Sequence, residues 1–223
     1  MDTLQEIKDA IASLSASDVD EIEQWLLSRS VREPAVAYNL VPTDSNLSVE
    51  EYLKLEEHST IKHEYVAGEI FAMAGPTLRH NAISVNLVTT FHSHLRGGPC
   101  RAFVNDVKVR IKVNDDEVVY YPDVMVACGE QRLDDHYIWN PTLVIEVLSP
   151  STEAIDRREK ALNYRQIAEL EEFVLVAQRT HHVTIFRRCE GWRPQHLSSP
   201  EAVAEFRSVQ LSVPLTEIYG SPQ

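Results

Sequence analysis

The chain has 223 residues, 43% hydrophobic and 25% charged, with 7 glycines and 11 prolines. That composition suits one folded domain with an accessory segment, and it excludes collagen-like, low-complexity and wholly disordered chains. A formal net charge of −13 is poorly suited to non-specific nucleic-acid binding, which depends on phosphate neutralisation, although a divalent cation can cancel acidic charge locally.

The acid is concentrated at the front, where residues 1–60 hold 13 acidic and 4 basic side chains. The first residues are acidic and amphipathic, which is not the pattern of a signal peptide. No apolar run approaches the roughly 18 residues of a membrane span. Cys100, Cys128 and Cys189 form no Cys-x-x-Cys pair, so neither a disulfide framework nor a zinc site is expected. A reducing cytoplasm is the simplest compartment.

Taken in chain order, Leu4, Ile7, Ile11 and Leu14 fall on one helical stripe, and Val19, Ile22 and Leu26 on a second. Their spacing predicts a helical hairpin over residues 1–30 that packs on the main domain or on another chain. Residues 31–47, with Pro34, Pro42 and a Thr-Asp-Ser-Asn cluster, read as a linker. The main domain then covers residues 48–223. Ser48-x-x-Glu51 caps a short helix, and Glu64–Ala72 reads as a β-hairpin around Ala67-Gly68. Arg79–Leu95 reads as a helix with Ile83, Leu87 and Phe91 on its apolar stripe.

Three strands are predicted next. Residues 101–113 alternate, placing Asp106, Lys108, Arg110 and Lys112 on one face. Residues 118–127 form a nearly continuous apolar run, as do 142–148, which suits strands covered on both sides. A helix over about 153–168 and strands at Phe173–Ala177 and Val183–Arg187 complete an α-β-β-β-α-β order, an α/β plan of α+β type with a central mixed sheet.

Two carboxylates interrupt the apolar strands: Asp123 in Tyr-Tyr-Pro-Asp-Val-Met-Val, and Glu146 in Leu-Val-Ile-Glu-Val-Leu. Burying an unpaired carboxylate costs several kcal/mol, or the group protonates. Pro122 cannot donate to a sheet ladder and marks a bulge, an edge or a bend that could aim Asp123 away from ordinary pairing. Two such acids on neighbouring strands suit Mg²⁺, which is held by one or two carboxylates plus waters and substrate phosphate, with Mn²⁺ as a substitute. The alternative is an ion pair with Arg101, Arg110 or Arg165.

Lys160 is the best candidate for an accompanying cation, one helical turn after Asp156 and one before Tyr164. His80, at a helix start where the positive end disfavours its protonation, could position water or phosphate. Asp106 and Lys108 could flank the cleft, with Arg110 and Lys112 as a phosphate-contact stripe.

Tyr-Pro-Asp, then Ile-Glu-Val-Leu-Ser-Pro-Ser-Thr, then Asp156-x-x-x-Lys160-x-x-x-Tyr164 together resemble the Uma-two family of restriction-endonuclease-like proteins, in the PD-(D/E)xK nuclease superfamily. The upstream Lys-His-Glu-Tyr-Val-Ala-Gly-Glu-Ile and the Arg79-His80-Asn81 helix start are similar to it as well. The resemblance covers roughly residues 48–220. It implies a restriction-endonuclease-like fold and metal-dependent cleavage of DNA, with Asp123 and Glu146 as metal ligands and a backbone carbonyl after Glu146 adding a third.

The same resemblance suggests Glu64 as an acid reaching the metal, with Glu69 behind it. The superfamily's lysine two positions after the glutamate is replaced here by Leu148, and the resemblance suggests that Lys160 takes its role. An acidic chain that must hold a polyanion is expected to pair as a homodimer around a shared groove. The competing expectations are a nuclease-like interaction module without catalysis and a small-molecule phosphodiesterase.

Overall fold

In the computed structural model the described residues are 39–40, 47–131, 136–149 and 153–220. The expected N-terminal hairpin lies outside them. They belong to a compact unit spanning Ala37–Gln223.

The elements in chain order are β1 (Asn39–Leu40), α1 (Val49–Glu56), β2 (His63–Val66), β3 (Glu69–Ala72), α2 (Leu78–His94), β4 (Cys100–Val104), β5 (Lys108–Val113), β6 (Asp116–Tyr120), β7 (Val124–Cys128), β8 (Tyr137–Ile138) and β9 (Pro141–Leu148). A bulged helix follows: α3 (Glu153–Ile155), a π turn (Asp156–Lys160) and α4 (Ala161–Tyr164). Then come β10 (Glu172–Ala177), β11 (Val183–Arg187), β12 (Pro194–Leu197), the hairpin β13 (Val203–Phe206) and β14 (Leu211–Pro214), and α5 (Leu215–Tyr219). One sheet has the order β1-β3-β2-β6-β5-β8, and the other β12-β11-β10-β9-β7-β4.

The second sheet carries the predicted mixed α+β core. Read as α2, β4, β7, β9, bulged helix and β10, it keeps the expected α-β-β-β-α-β order, and it is mixed because β9 and β10 run parallel while its other pairs are antiparallel. Two expected strands are each cut in two. Residues 101–113 split into β4 and β5 at Asn105, which takes the left-handed backbone (φ 48) that Asn tolerates better than most residues. Residues 118–127 split into β6 and β7 at Pro122, which lacks the N–H a ladder needs. The segment between the cuts, β5–β6, joins the first sheet. The two switch points are tied together, with Asn105 N–H donating to the Asp123 carbonyl at 3.3 Å.

Burial follows the strand alternation. Leu143, Ile145 and Val147 face Ile83, Leu87 and Phe91 of α2 and the C-terminal hairpin. Val144 and Leu148 face Val109, Ile111, Val118 and Tyr120 of the first sheet, with Ala161 and Tyr164 of α4. The helix expected to 168 stops at Tyr164 and contains a π turn, a form that often occurs at functional positions in helices.

One expectation about the cysteines is overturned. Cys100 and Cys128 stand directly opposite each other on β4 and β7 and are disulfide-bonded, while Cys189 is free and exposed. A separation of 28 residues hid what strand register brings together, and the cysteines therefore lend no support to a reducing compartment. Among the described residues no helix is long and apolar enough to cross a membrane.

Candidate active site

Asp123 and Glu146 sit one step beyond the Val124–Ile145 pair of β7 and β9, where the chain passes between the two sheets. They brace each other through the backbone. Asp123 N–H donates to Glu146 Oε2 at 3.3 Å, and Val147 N–H donates to Asp123 Oδ2 at 2.7 Å. Glu146 is 3% exposed, on the β9 face shared with Val144 and Leu148. Burial pushes its carboxyl well above the ordinary glutamate range; Lys160 pulls it down, while Asp156, Asp123 and Glu64 push it further up. Tyr164 Oη donates to its Oε1 at 2.7 Å.

Lys160 reaches this pair from the π turn. Its Nζ lies 2.8 Å from Glu64 Oε1, 3.3 Å from Asp156 Oδ1 and 3.5 Å from Glu146 Oε1. The ammonium also stands over the Tyr120 ring, 5.3 Å from its centroid, a favourable contact for a desolvated cation. Tyr120 is held by Asn163 at 2.6 Å and by Glu159 at 2.9 Å. Glu64 arrives from β2 and accepts the Tyr121 N–H at 3.4 Å. The position two after Glu146, occupied by Leu148, is apolar and packed in the core.

His80 closes the other side. Its Nε2 lies 3.1 Å from Asp123 Oδ2. The helix start was expected to disfavour its protonation. Burial acts in that direction, but the hydrogen bond to Asp123, the Asp123 charge, the Val147 backbone and Asp156 outweigh it, and the pKa is raised.

The fold therefore brings together Glu64, His80, Asp123, Glu146, Lys160 and Tyr164. Asp106 and Lys108 do not share the strand face expected of them, because Asn105 ends β4. Asp106 pairs with Lys62, and Lys108 stands over the Tyr121 ring. Arg110 is no open phosphate contact: it is bound by Glu117 at 2.7 Å and Glu50 at 2.8 Å. Arg165 lies against Phe186 and Trp192, and Arg101 is exposed on β4. The ammonium of Lys160, not one of these guanidinium groups, meets Glu146. Sequence reasoning used Asp156 only as a landmark; its four-residue spacing from Lys160 was the signal that it joins the site. Tyr120 gave no such signal, since it reads as one more apolar strand residue.

The family Uma2, described as "Putative restriction endonuclease", matches residues 49–216. The chain belongs to this family. Within it, the chain is 38% identical to the Synechocystis protein slr1290 over 78% of its own length and 91% of the relative's. It is 32% identical to the Synechocystis protein sll1609 over 77% and 99% respectively. A crystal structure titled as a putative nuclease belonging to DUF820, from Anabaena variabilis, has the same fold with a TM-score of 0.64 at 20% identity, covering 78% of this chain and 97% of that one.

The donor set of this Uma2 member bears on the cation its family resemblance implies. Among the described residues no three His, Cys, Asp or Glu side chains converge as a ligand cluster. The amine of Lys160 stands among Glu64, Asp156 and Glu146, and the imidazole of His80 stands against Asp123. A site of two carboxylates, a backbone carbonyl and waters does not need a third acidic ligand. Asp123 and Glu146 present carboxylate oxygens side by side on neighbouring strands, the hard donors that such an ion takes. The residues fit such an ion, with Asp123, Glu146 and the Val147 carbonyl to hold it.

Proposed function

We propose that the protein is a divalent-metal-dependent endonuclease that hydrolyses DNA phosphodiester bonds. The observation that carries this reading is the convergence of Asp123 and Glu146 on neighbouring strands, braced by each other's backbone N–H groups, with Lys160 3.5 Å from Glu146 and His80 3.1 Å from Asp123. Buried carboxylates gathered in this way are costly in a fold and are expected where a cation is to be held. When bound, Mg²⁺ or Mn²⁺ supplies Lewis-acid stabilisation of the phosphoryl oxygens and an acidified water.

The chain's own residues complete the chemistry. Asp123 and Glu146 would hold the ion, their oxygens oriented by the two backbone N–H groups. Lys160, ion-paired with Glu64 and Asp156, is the cation that orients water and offsets charge developing at phosphorus. Tyr164 fixes Glu146. His80 holds Asp123 Oδ2 and is the group that must yield or share that oxygen when the ion binds. We further infer that two copies pair so that an acidic chain can hold a polyanion, which light scattering showing only monomer at working concentration would contradict.

The expected result is Mg²⁺- or Mn²⁺-dependent cleavage of plasmid DNA, reduced by more than about 100-fold in Asp123→Ala and Glu146→Ala, beyond the 10–100-fold range of outer-shell substitutions. Equal cleavage by parent and variants would overturn the assignment. A second reading, a nuclease-like binding module, is favoured by the apolar Leu148 at the superfamily's lysine position. It predicts DNA retention without cleavage under any divalent metal.

A further inference from the structure

Along the N-terminal half of α2 lies a cavity of about 710 Å³ lined by Leu78, Arg79, Asn86, Arg179, His181 and Tyr219, among others. No Asp or Glu is among the described residues lining it, which is conspicuous in a chain of net charge −13. Arg79 and Arg179 are both exposed, and neither has an ion-pair partner among the described residues. A smaller cavity of about 230 Å³ lies across the Gln178–Thr180 turn, where Arg157 is paired with Glu153 at 2.9 Å and adds no free charge.

The walls are braced. Tyr219 Oη donates to the His182 carbonyl at 2.9 Å and accepts the His182 N–H at 3.0 Å. Asn86 Nδ2 donates to the Ile218 carbonyl at 3.1 Å. Gln178 Nε2 donates to the carbonyl of Leu148, two residues after Glu146, and Gln178 Oε1 accepts the Thr77 hydroxyl at 2.5 Å. Leu78 stands 91% exposed at the rim. The cavity is also joined to the site in sequence, because Arg79 directly precedes His80, whose ring contacts Asp123.

We infer that this groove seats the phosphodiester backbone of DNA flanking the bond to be cut, with Arg79 and Arg179 as its phosphate contacts. The inference rests on the nuclease reading for its substrate but makes a separate claim about where that substrate lies. A preformed groove with guanidinium groups and no lining acid is the complement of a polyanion, and guanidinium binds phosphate in a directed, forked geometry. It also answers how an acidic chain holds DNA: the basic charge is local.

The test is binding, read apart from cleavage. Fluorescence anisotropy of a labelled duplex in Ca²⁺ is measured for the full chain, for the Arg79→Ala/Arg179→Ala double variant and for Arg193→Ala, a control at the opposite end of β11. The double variant is expected to bind about tenfold more weakly, with the slope of log affinity against log salt reduced by about 2, while Arg193→Ala matches the parent. Hydrolysis of a small artificial phosphodiester by the double variant is expected to stay at the parent level. Unchanged DNA affinity and salt slope in the double variant, or no duplex binding by the parent, overturns the groove assignment. Failure of the parent to cleave any phosphodiester overturns the nuclease reading instead. Both arginines are exposed, and a melting curve superimposable on the parent's is expected.

Discussion

Two buried ionic clusters on the second sheet make an instructive pair. At one end of β10, Arg187 and Glu172 are each 1% exposed. Arg187 donates to Glu172 at 2.9 Å, to Gln195 at 2.6 Å and to the Glu205 carbonyl at 2.8 Å. Glu172 also accepts from the Arg207 and Ser208 backbone N–H groups and the Ser208 hydroxyl. One buried cation faces one buried anion; Arg187 also reaches the part-exposed Glu190 at 3.3 Å, and the rest of Glu172's hydrogen-bonding capacity is met by neutral groups. In the candidate site a single ammonium faces Glu64, Glu146 and Asp156, and burial drives Glu146 toward its neutral form. The first cluster is what structure alone requires. In the second, three buried carboxylates gather around one ammonium beside Asp123, and that gathering is what the metal-dependent proposal rests on.

The largest expected effect breaks the balanced cluster. Glu172→Gln places amide hydrogens against the Ser208 donors and leaves Arg187 without its buried counter-ion, so chemical denaturation should show a loss of about 3–5 kcal/mol. Glu64→Gln keeps an oxygen for Lys160 and removes one of the three carboxylates around it, and the same measurement should register a change within about 1 kcal/mol. Equal losses at both positions would mean that the two clusters are alike.

Next in size is stabilisation by metal. Saturating Mn²⁺ at 100 times its dissociation constant should stabilise the parent by about 2.7 kcal/mol, read as a rise in melting temperature. Glu146→Gln should lose most of that rise, whereas Arg193→Ala should keep it.

The smallest effect comes from a group outside both clusters. Burial raises the Tyr219 hydroxyl to about 12 from an ordinary 10, against a hydrogen bond to His182 that lowers it. A proton held more tightly in the folded state stabilises it below pH 10, and that contribution fades as pH rises toward 12. Over this window the parent should lose on the order of 1 kcal/mol more than Tyr219→Phe, and parallel pH–stability curves would show that the hydroxyl is not held.

Much of this was legible in the sequence because it was local. Asp123 and Glu146 announce themselves by interrupting apolar runs, and Asp156, Lys160 and Tyr164 fall at one-turn spacing. Ile83, Leu87 and Phe91 give the buried face of α2 directly. Other features depend on which strands become neighbours. Periodicity continues smoothly through Asn105 and Pro122, so it cannot report that the chain changes sheets there. Without that change the Cys100–Cys128 pair and the true positions of Asp106 and Lys108 stay hidden. Glu64 meets Lys160 across 96 residues, a contact made by tertiary packing. Arg110 looked free on a strand face because Glu50 and Glu117 come from other elements.

The metal-dependent reading is tested most directly by anomalous diffraction from crystals soaked in Mn²⁺. The expected result is a manganese peak between Asp123 and Glu146, within coordinating distance of the Val147 carbonyl, with His80 Nε2 displaced from Asp123 Oδ2 or sharing it with the ion. No peak at saturating Mn²⁺, with Lys160 and His80 still clasping the same oxygens, would contradict the metal-dependent reading.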